Sequence, residues 1–137
     1  AVNYRSGDFV AAVREVTGGR GVDVVYDAVG KDTFLGSLDC LRPLGMMVSY
    51  GNASGKAPAL EPLLLSEKGS LFLTRPTLAH YTARREDLLR TAAELFAVVA
   101  SGVVKADIAQ TYALKDAAQA HRDLEARNTV GTTLLLP

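Results

Sequence analysis

The sequence predicts an α/β fold built on a parallel sheet, and three observations support this prediction. Short apolar runs of strand length alternate with longer segments whose apolar residues recur at helical spacing. The apolar runs are continuous, which is typical of strands buried on both faces of a parallel sheet. Two successive runs also end in loops of glycine and other small residues. Loops at the carboxyl ends of parallel strands are where open α/β sheets bind their ligands.

The rest of the chain is organised around the stretch 21–30, GVDVVYDAVG. Its β-branched and aromatic run is bounded by glycines and flanked by helical patterns, so we expect a central strand buried on both faces. The strand would end at Asp27, and Asp27–Gly30 would form the first loop to examine for function. Asp27 itself is interpreted as a residue that forms the turn, not as a catalytic carboxylate.

Residues Val2–Tyr4 are expected to be the end of a preceding strand. A helix with apolar residues on one stripe follows, and Ser6 or Asp8 is its expected N-cap. Gly18-Gly19 should stop this helix, because glycine readily adopts the left-handed conformation of a C-cap.

After the central strand, Asp32 is the expected N-cap of a second helix, which Pro43 and Gly45 would end. Met46–Tyr50 is the next buried strand, and the small-residue loop 51–55 follows it.

The remaining elements follow the same α/β pattern. They are a segment 56–69 in which Leu63–Leu65 form a short helix or simply fill an apolar gap, a strand Leu71–Thr74, a long helix capped by Thr82 and ended by Gly102, a strand near 108–112, a helix over 115–127, and a last strand 132–136. With no long linker between them, the elements are expected to form one compact unit. Because the sequence begins with Ala1 inside an expected strand, we interpret it as a piece of a longer protein.

Composition excludes several classes of function. The chain has 137 residues with 15 basic and 15 acidic side chains, so no net charge attracts nucleic acid or an anionic membrane. No apolar run approaches the length of a membrane span. The single cysteine, Cys40, and the absence of metal-ligand spacing favour a reducing, cytoplasmic setting without a metal centre.

The sequence contains no GxGxxG turn for a dinucleotide pyrophosphate. Its glycine-rich segment 18–21 follows a helix and precedes a strand, which is the wrong order for phosphate binding and the right one for a helix stop. From the residues alone, we predict an α/β domain with a ligand crevice.

Several motifs resemble the zinc-independent quinone oxidoreductases of the medium-chain dehydrogenase/reductase superfamily. The similarity is colinear over essentially the whole chain and is carried by VNYR at 2–5, VVYD with VG and DT at 24–33, SLDCL at 37–41, MVS with GN at 47–52, KGSL with TRP at 68–76, ASGV at 100–103, LKDA at 114–117 and LL at 134–135.

The resemblance implies an incomplete Rossmann-like parallel sheet, in which residues 1–137 form the later part of the nucleotide-binding domain and a C-terminal tail. The substrate domain and the glycine-rich turn would lie upstream. It also implies hydride transfer from NADPH to a quinone or an α,β-unsaturated carbonyl. Alone, the chain is then expected to be inactive and to bind NADPH weakly.

By the same resemblance, Tyr4 lies near the adenosine phosphate, and its alternative is a tyrosine capping the edge of the sheet. Val29 and Gly30 would line the crevice, unless they form only an ordinary turn. Tyr50, Gly51, Asn52 and Ala53 would lie beside the nicotinamide, the alternative being a Gly-Asn turn.

Arg127 approaches the cofactor in the resembling family, although a cation at a helix C-terminus needs no ligand. No residue of the chain is predicted to be a catalytic acid, base or nucleophile.

The strand Leu71–Thr74 is expected to be a sheet edge that pairs with its copy in a homodimer. Two other functions stay open: a non-catalytic dimerisation or structural module, and another Rossmann-like enzyme such as a methyltransferase that uses Asp27.

Overall fold

The structure is a computed structural model that describes all 137 residues. The chain forms two compact units, residues 1–81 and 82–137, where the sequence predicts one. The elements of the first unit are α1 (Phe9–Val16), β1 (Val22–Asp27), α2 (Phe34–Asp39), β2 (Leu41–Ser49), α3 (Pro62–Glu67), β3 (Phe72–Thr74) and α4 (Leu78–Tyr81). Those of the second are α5 (Arg85–Ala100), β4 (Ile108–Ala113), a 3-10 turn (Leu114–Asp116), α6 (Ala117–Glu125) and β5 (Thr132–Leu136).

The first unit contains a three-stranded parallel sheet in the order β1-β2-β3, which confirms the predicted α/β class. In its register Asp27 lies beside Ser49, and Val48 lies beside Thr74. The carboxyl ends of the three strands are therefore level with one another. The loops that follow β1, β2 and β3 therefore begin next to one another at the carboxyl edge of the sheet.

One face of the sheet carries the core of the first unit. Its buried members are Phe34 and Leu38 of α2, Leu41 and Met47 of β2, and Leu71 just before β3. Leu64 and Leu65 of α3 pack against this cluster. For Leu63–Leu65 the sequence allows either a short helix or residues that fill an apolar gap. The structure shows a helix whose Leu64 and Leu65 also fill the gap beside the core.

The opposite face of the sheet is exposed, contrary to the predicted burial of the central strand on both faces. Tyr26 is 71% exposed and Phe72 is 56% exposed. The strand β1 also pairs only with β2, so within this chain it is an edge strand. The reason is that α2 packs on the face that carries Met47, and the alternate residues of the strands point away from it.

The boundaries of the first elements differ from the predictions at three places. Val2–Tyr4 is not a strand, because these residues pair with no other strand. The N-cap position of α2 is Thr33 and not Asp32. Pro43 and Gly45 lie within β2, which begins at Leu41.

The early start of β2 has a physical cause in its pairing. Leu41 pairs with Val22, and the next pair joins Met46 to Val24, so residues 42–45 bulge out of the ladder. Within the bulge Leu44 has a φ of 60°. A proline, which lacks the ladder donor, and a left-handed residue interrupt the pairing without ending the strand.

The cap of α1 is confirmed. The Asp8 carboxylate accepts a hydrogen bond of 3.0 Å from the backbone N–H of Ala11, in the manner of an N-cap side chain. Gly18 and Gly19 follow the helix with φ values of 59° and 81°, as a helix stop requires.

The second unit contains a parallel pair of strands, β4 and β5, joined through α6. The Tyr112 hydroxyl of β4 donates a 2.9 Å hydrogen bond to Asp123 of α6. The helix α5 has Arg84 in its N-cap position instead of the predicted Thr82, and its apolar stripe is exposed, with Phe96 at 68%. None of the helices has the length and apolar character needed to cross a lipid bilayer.

Candidate functional site

Two loops leave the carboxyl edge of the first sheet side by side. The first loop, residues 28–32, joins β1 to α2, and the second loop, residues 50–55, follows β2. Together we call them the paired loops. They carry six of the eight residues for which the sequence predicts contact with a cofactor.

The Asp27 carboxylate shapes the first loop. Its Oδ1 accepts hydrogen bonds from the backbone N–H groups of Val29 (2.8 Å) and Gly30 (2.9 Å). Its Oδ2 accepts from the hydroxyls of Thr33 and Ser37, both at 2.8 Å. The residue is only 4% exposed. One buried carboxylate therefore ties the end of β1 to the loop and to the first turns of α2.

These bonds also determine the charge of Asp27. Burial by itself would raise the pKa of the carboxyl group, but the hydrogen bonds from Gly30, Ser37, Thr33 and Val29 outweigh burial and hold the pKa below its ordinary value. The ionised carboxylate has all its acceptor positions engaged within the protein. It is a structural anion, as the sequence indicates, and it is unavailable as a catalytic base.

The second loop is hydrogen-bonded to the backbone of the first. The carbonyl groups of three successive residues at the end of β1 serve as its acceptors. The bonds run from Tyr50 N to Asp27 O (2.9 Å), from Gly51 N to Asp27 O (3.3 Å), from Ala53 N to Ala28 O (3.2 Å) and from Ser54 N to Val29 O (2.8 Å). The Ser54 hydroxyl adds a 2.8 Å bond to Val29 O and accepts a 3.0 Å bond from Asp32 N.

Two glycines allow this close approach. A Cβ atom on Gly51 would lie 2.1 Å from the carbonyl oxygen of Ala28, and one on Gly30 would lie 2.5 Å from that of Gly55. Gly30 also has a φ of 86°. A side chain at either position would push the paired loops apart.

A third strand end restrains the second loop from the other side. Arg75, the residue after β3, donates from Nη1 to the carbonyl oxygens of Ser49 (3.0 Å) and Gly51 (3.1 Å). Arg75 forms no ion pair, since no carboxylate lies within 4 Å of its guanidinium. The guanidinium thus cross-links β3 to the loop while keeping its charge uncompensated.

The second loop presents groups that a ligand could use. The Tyr50 ring is 53% exposed at the end of β2. Asn52 is exposed, and neither its side-chain amide nor its backbone N–H makes a hydrogen bond within the protein. Ala53 is exposed beside it. An aromatic ring next to free amide donors can bind a flat polar ring.

Tyr4 and Val29 are brought together, because both line a cavity of about 270 Å³ above β1.

Arg127 lies in the second unit, at the end of α6. Its backbone N–H donates to Leu124 O, and Asn128 N donates to Asp123 O, which is the pattern of a Schellman C-cap. Arg127 has a φ of 61° at the position where glycine is usual.

Sequence reasoning missed two residues of this site, Ser54 and Arg75. Arg75 could have been found, since it comes directly after a predicted strand and so had to lie at the same sheet edge.

Cys40 is buried, and burial raises the pKa of its thiol. No group of three or more His, Cys, Asp or Glu side chains in the chain could hold a metal ion, so the residues present do not form a zinc site.

Comparison with known proteins gives close relatives. The chain is 53% identical to a quinone oxidoreductase of Salmonella typhimurium and 48% identical to a 2-haloacrylate reductase of Burkholderia sp., in each case over 99% of this chain. The chain spans 42% and 41% of the length of these two relatives.

A crystal structure of Escherichia coli quinone oxidoreductase complexed with NADPH superimposes with a TM-score of 0.92 at 51% identity, over 99% of this chain and 42% of that one. The structure of a mycobacterial protein complexed with NADPH also superimposes with a TM-score of 0.92, at 44% identity over 99% of this chain and 42% of that one. A family model described as zinc-binding dehydrogenase matches residues 1–135. The chain therefore belongs to the zinc-binding dehydrogenase family.

Proposed function

We propose that this chain is the C-terminal part of an NADPH-dependent quinone oxidoreductase that reduces a quinone or an α,β-unsaturated carbonyl compound. The observation that carries the proposal is the pair of cross-linked loops at the carboxyl edge of a parallel sheet, with an exposed tyrosine and free amide donors. Relatives named as quinone oxidoreductases, one of them complexed with NADPH, support it.

The paired loops would hold the nicotinamide half of the cofactor. Val29 and Gly30 bring the backbone of the first loop to the crevice, and Tyr50 would shield the reactive ring from water. The free amide of Asn52 would donate to the carboxamide or to a ribose, with Gly51 and Ala53 beside it. NADPH supplies the hydride, so these side chains need only bind and orient it.

Tyr4 is proposed to contact the adenosine phosphate of the cofactor, and Arg127 a phosphate or the nicotinamide side. Support for Arg127 comes from the resemblance, in which an arginine at the matching position approaches the cofactor; its left-handed φ belongs to the cap of α6.

The proposal extends to the assembly and the setting of the protein. We propose a zinc-independent enzyme of the cytoplasm that forms a homodimer through β3. In support, β3 is an edge strand of the first sheet, and Phe72 on it is exposed. Sedimentation of the Phe72→Lys variant should show monomers where the unaltered protein shows dimers.

The first test is the gene upstream of Ala1. It should encode a glycine-rich turn about 40 residues before this chain, consistent with one βαβ unit of 30 or more residues. The second test is turnover by the complete protein, with NADPH or NADH and with small quinones and enones, before and after treatment with a zinc chelator. A missing glycine-rich turn, or no NADPH oxidation with any acceptor, would contradict the proposal.

Site variants make the test specific. Asn52→Ala should raise the KM for NADPH about tenfold if its amide donates to the cofactor, while Lys105→Gln in the second unit should leave it unchanged. If Asn52→Ala has no effect on KM or kcat, the loop is an ordinary Gly-Asn turn, and the non-catalytic alternative is favoured.

A further inference from the structure

The carboxyl edge of the first sheet holds a second feature, which shares only Asn52 with the proposed cofactor contacts. A cavity of about 320 Å³ opens between the second loop and the buried face of the sheet. Its lining includes the polar residues Lys56, Asn52 and Arg75, which we call the rim, together with Ser49. Phe34, Leu60 and Leu73 are among its apolar lining residues. No acidic side chain lines it.

The two cations on this rim are not neutralised by the protein. Lys56 is exposed and makes neither an ion pair nor a hydrogen bond. Arg75 bonds only to neutral oxygens, those of Ser49 and Gly51. A rim with two uncompensated positive charges and the free amide of Asn52 attracts an anion.

The orientation of Arg75 narrows the choice of anion. All its bonds to the protein are made by Nη1, which leaves Nε and Nη2 without a partner. These two N–H groups form one edge of the guanidinium and match the two oxygens of a carboxylate. The hydrogen bonds from Nη1 already hold the guanidinium of Arg75 in one orientation. Binding of a carboxylate would therefore cost less side-chain conformational entropy.

We propose that this cavity binds an organic carboxylate with a small apolar body. The carboxylate would be held by the Nε and Nη2 edge of Arg75 and by Lys56, and the body would pack against Leu60 and Leu73. The volume is at the lower end of small-molecule sites, which suits a ligand of few atoms. The inference goes beyond the proposed function: it assigns a carboxylate-binding site and does not require that the bound compound be reduced.

Calorimetric titration of the complete protein tests this with two matched probes, sorbate and its neutral amide, without cofactor and with saturating NADP⁺, which has no hydride to transfer. Sorbate should bind about tenfold more tightly than sorbamide. Lys56→Gln should weaken sorbate about threefold to fivefold and leave sorbamide unchanged, because it removes charge without removing any contact within the protein. Lys105→Gln is the control for a lost charge elsewhere, and it should leave both affinities unchanged.

Each other outcome overturns the inference. Equal affinities for the two probes, or no binding of sorbate, would show that the rim does not recognise an anion. Competition between sorbate and NADP⁺ would assign the cations to the phosphates of the cofactor. The two proposals fail separately: turnover of neutral quinones without sorbate binding removes only this inference, and sorbate selectivity without any NADPH oxidation removes only the proposed function.

Discussion

Replacing Asp27 tests whether one carboxylate builds the first loop. In the Asp27→Ala variant, the buried hydroxyls of Thr33 and Ser37 and two backbone N–H groups lose their acceptor. A buried group left unpaired costs about 1–3 kcal/mol, and the costs within one network do not add fully. We expect the free energy of unfolding to fall by about 4 kcal/mol.

Asp27→Asn should cost less, about 1–2 kcal/mol, because the amide can keep the same shape. Its oxygen can accept from the two backbone N–H groups, while its NH₂ faces Thr33 and Ser37, whose hydroxyls can rotate to accept. The matched control is Asp32→Asn in the same loop. The Asp32 side chain is exposed and makes no hydrogen bond, so this variant should be neutral.

The pH dependence of stability gives an independent measure of the same carboxylate. The folded-state pKa of Asp27 lies below the value of about 3.9 in the unfolded chain. The ionised group therefore stabilises the folded state fully above that pH, and this contribution is lost as the pH falls through the folded-state pKa. The stability difference between the unaltered protein and Asp27→Asn should be constant above pH 5 and should shrink below pH 4.

Urea unfolding of the complete protein, followed by circular dichroism, measures these differences. Ser37→Ala provides the decisive comparison. It should destabilise the unaltered protein but should be neutral or stabilising in the Asp27→Ala background, where the buried hydroxyl has already lost its acceptor. If Asp27→Ala and Asp32→Asn cost the same, or if Ser37→Ala costs the same in both backgrounds, the carboxylate does not organise the loop.

Three further predictions concern single positions. Gly51→Ala should destabilise the protein by about 3 kcal/mol and raise the KM for NADPH, since its Cβ would lie 2.1 Å from Ala28 O; unchanged urea midpoints and KM would refute the close packing of the loops. Arg127→Gly should stabilise the protein by about 1 kcal/mol by relieving a left-handed φ while it raises the KM for NADPH, and an unchanged KM would leave Arg127 as a helix cap only. Cys40, 3% exposed and with a raised thiol pKa, should react with a thiol reagent only after unfolding in urea, and rapid reaction of the folded protein would contradict its burial.

The sequence was sufficient where local chemistry decides the structure. The Asp8 cap, the glycine stop of α1 and the parallel strands follow from short-range patterns, and the structure confirms them. The expectation that Asp27 forms a turn is likewise confirmed, although the sequence alone did not identify Thr33 and Ser37 as its partners.

The predictions were wrong where the structure depends on pairing between segments that are far apart in the sequence. Pro43 indicates the end of a helix locally, yet it lies in a bulge of β2 because Leu41 has already paired with Val22. Val2–Tyr4 has the composition of a strand but no partner in the chain. Burial on both faces of β1 depends on what covers the second face, which no pattern within the strand specifies.

The second loop is restrained by hydrogen bonds from the first loop and by the guanidinium of Arg75, and the first loop in turn depends on the carboxylate of Asp27. Both charged groups act on neutral partners and not on each other. The bonds of Asp27 are buried, so salt should hardly screen them. The exposed cations of the adjacent cavity differ, because an anion bound there would be screened. Raising the salt concentration from 0.05 to about 0.5 M should therefore weaken sorbate binding and leave the urea midpoint difference between the unaltered protein and Asp27→Asn nearly unchanged. If both fall together, the loops are held by general electrostatics and not by the specific bonds described above.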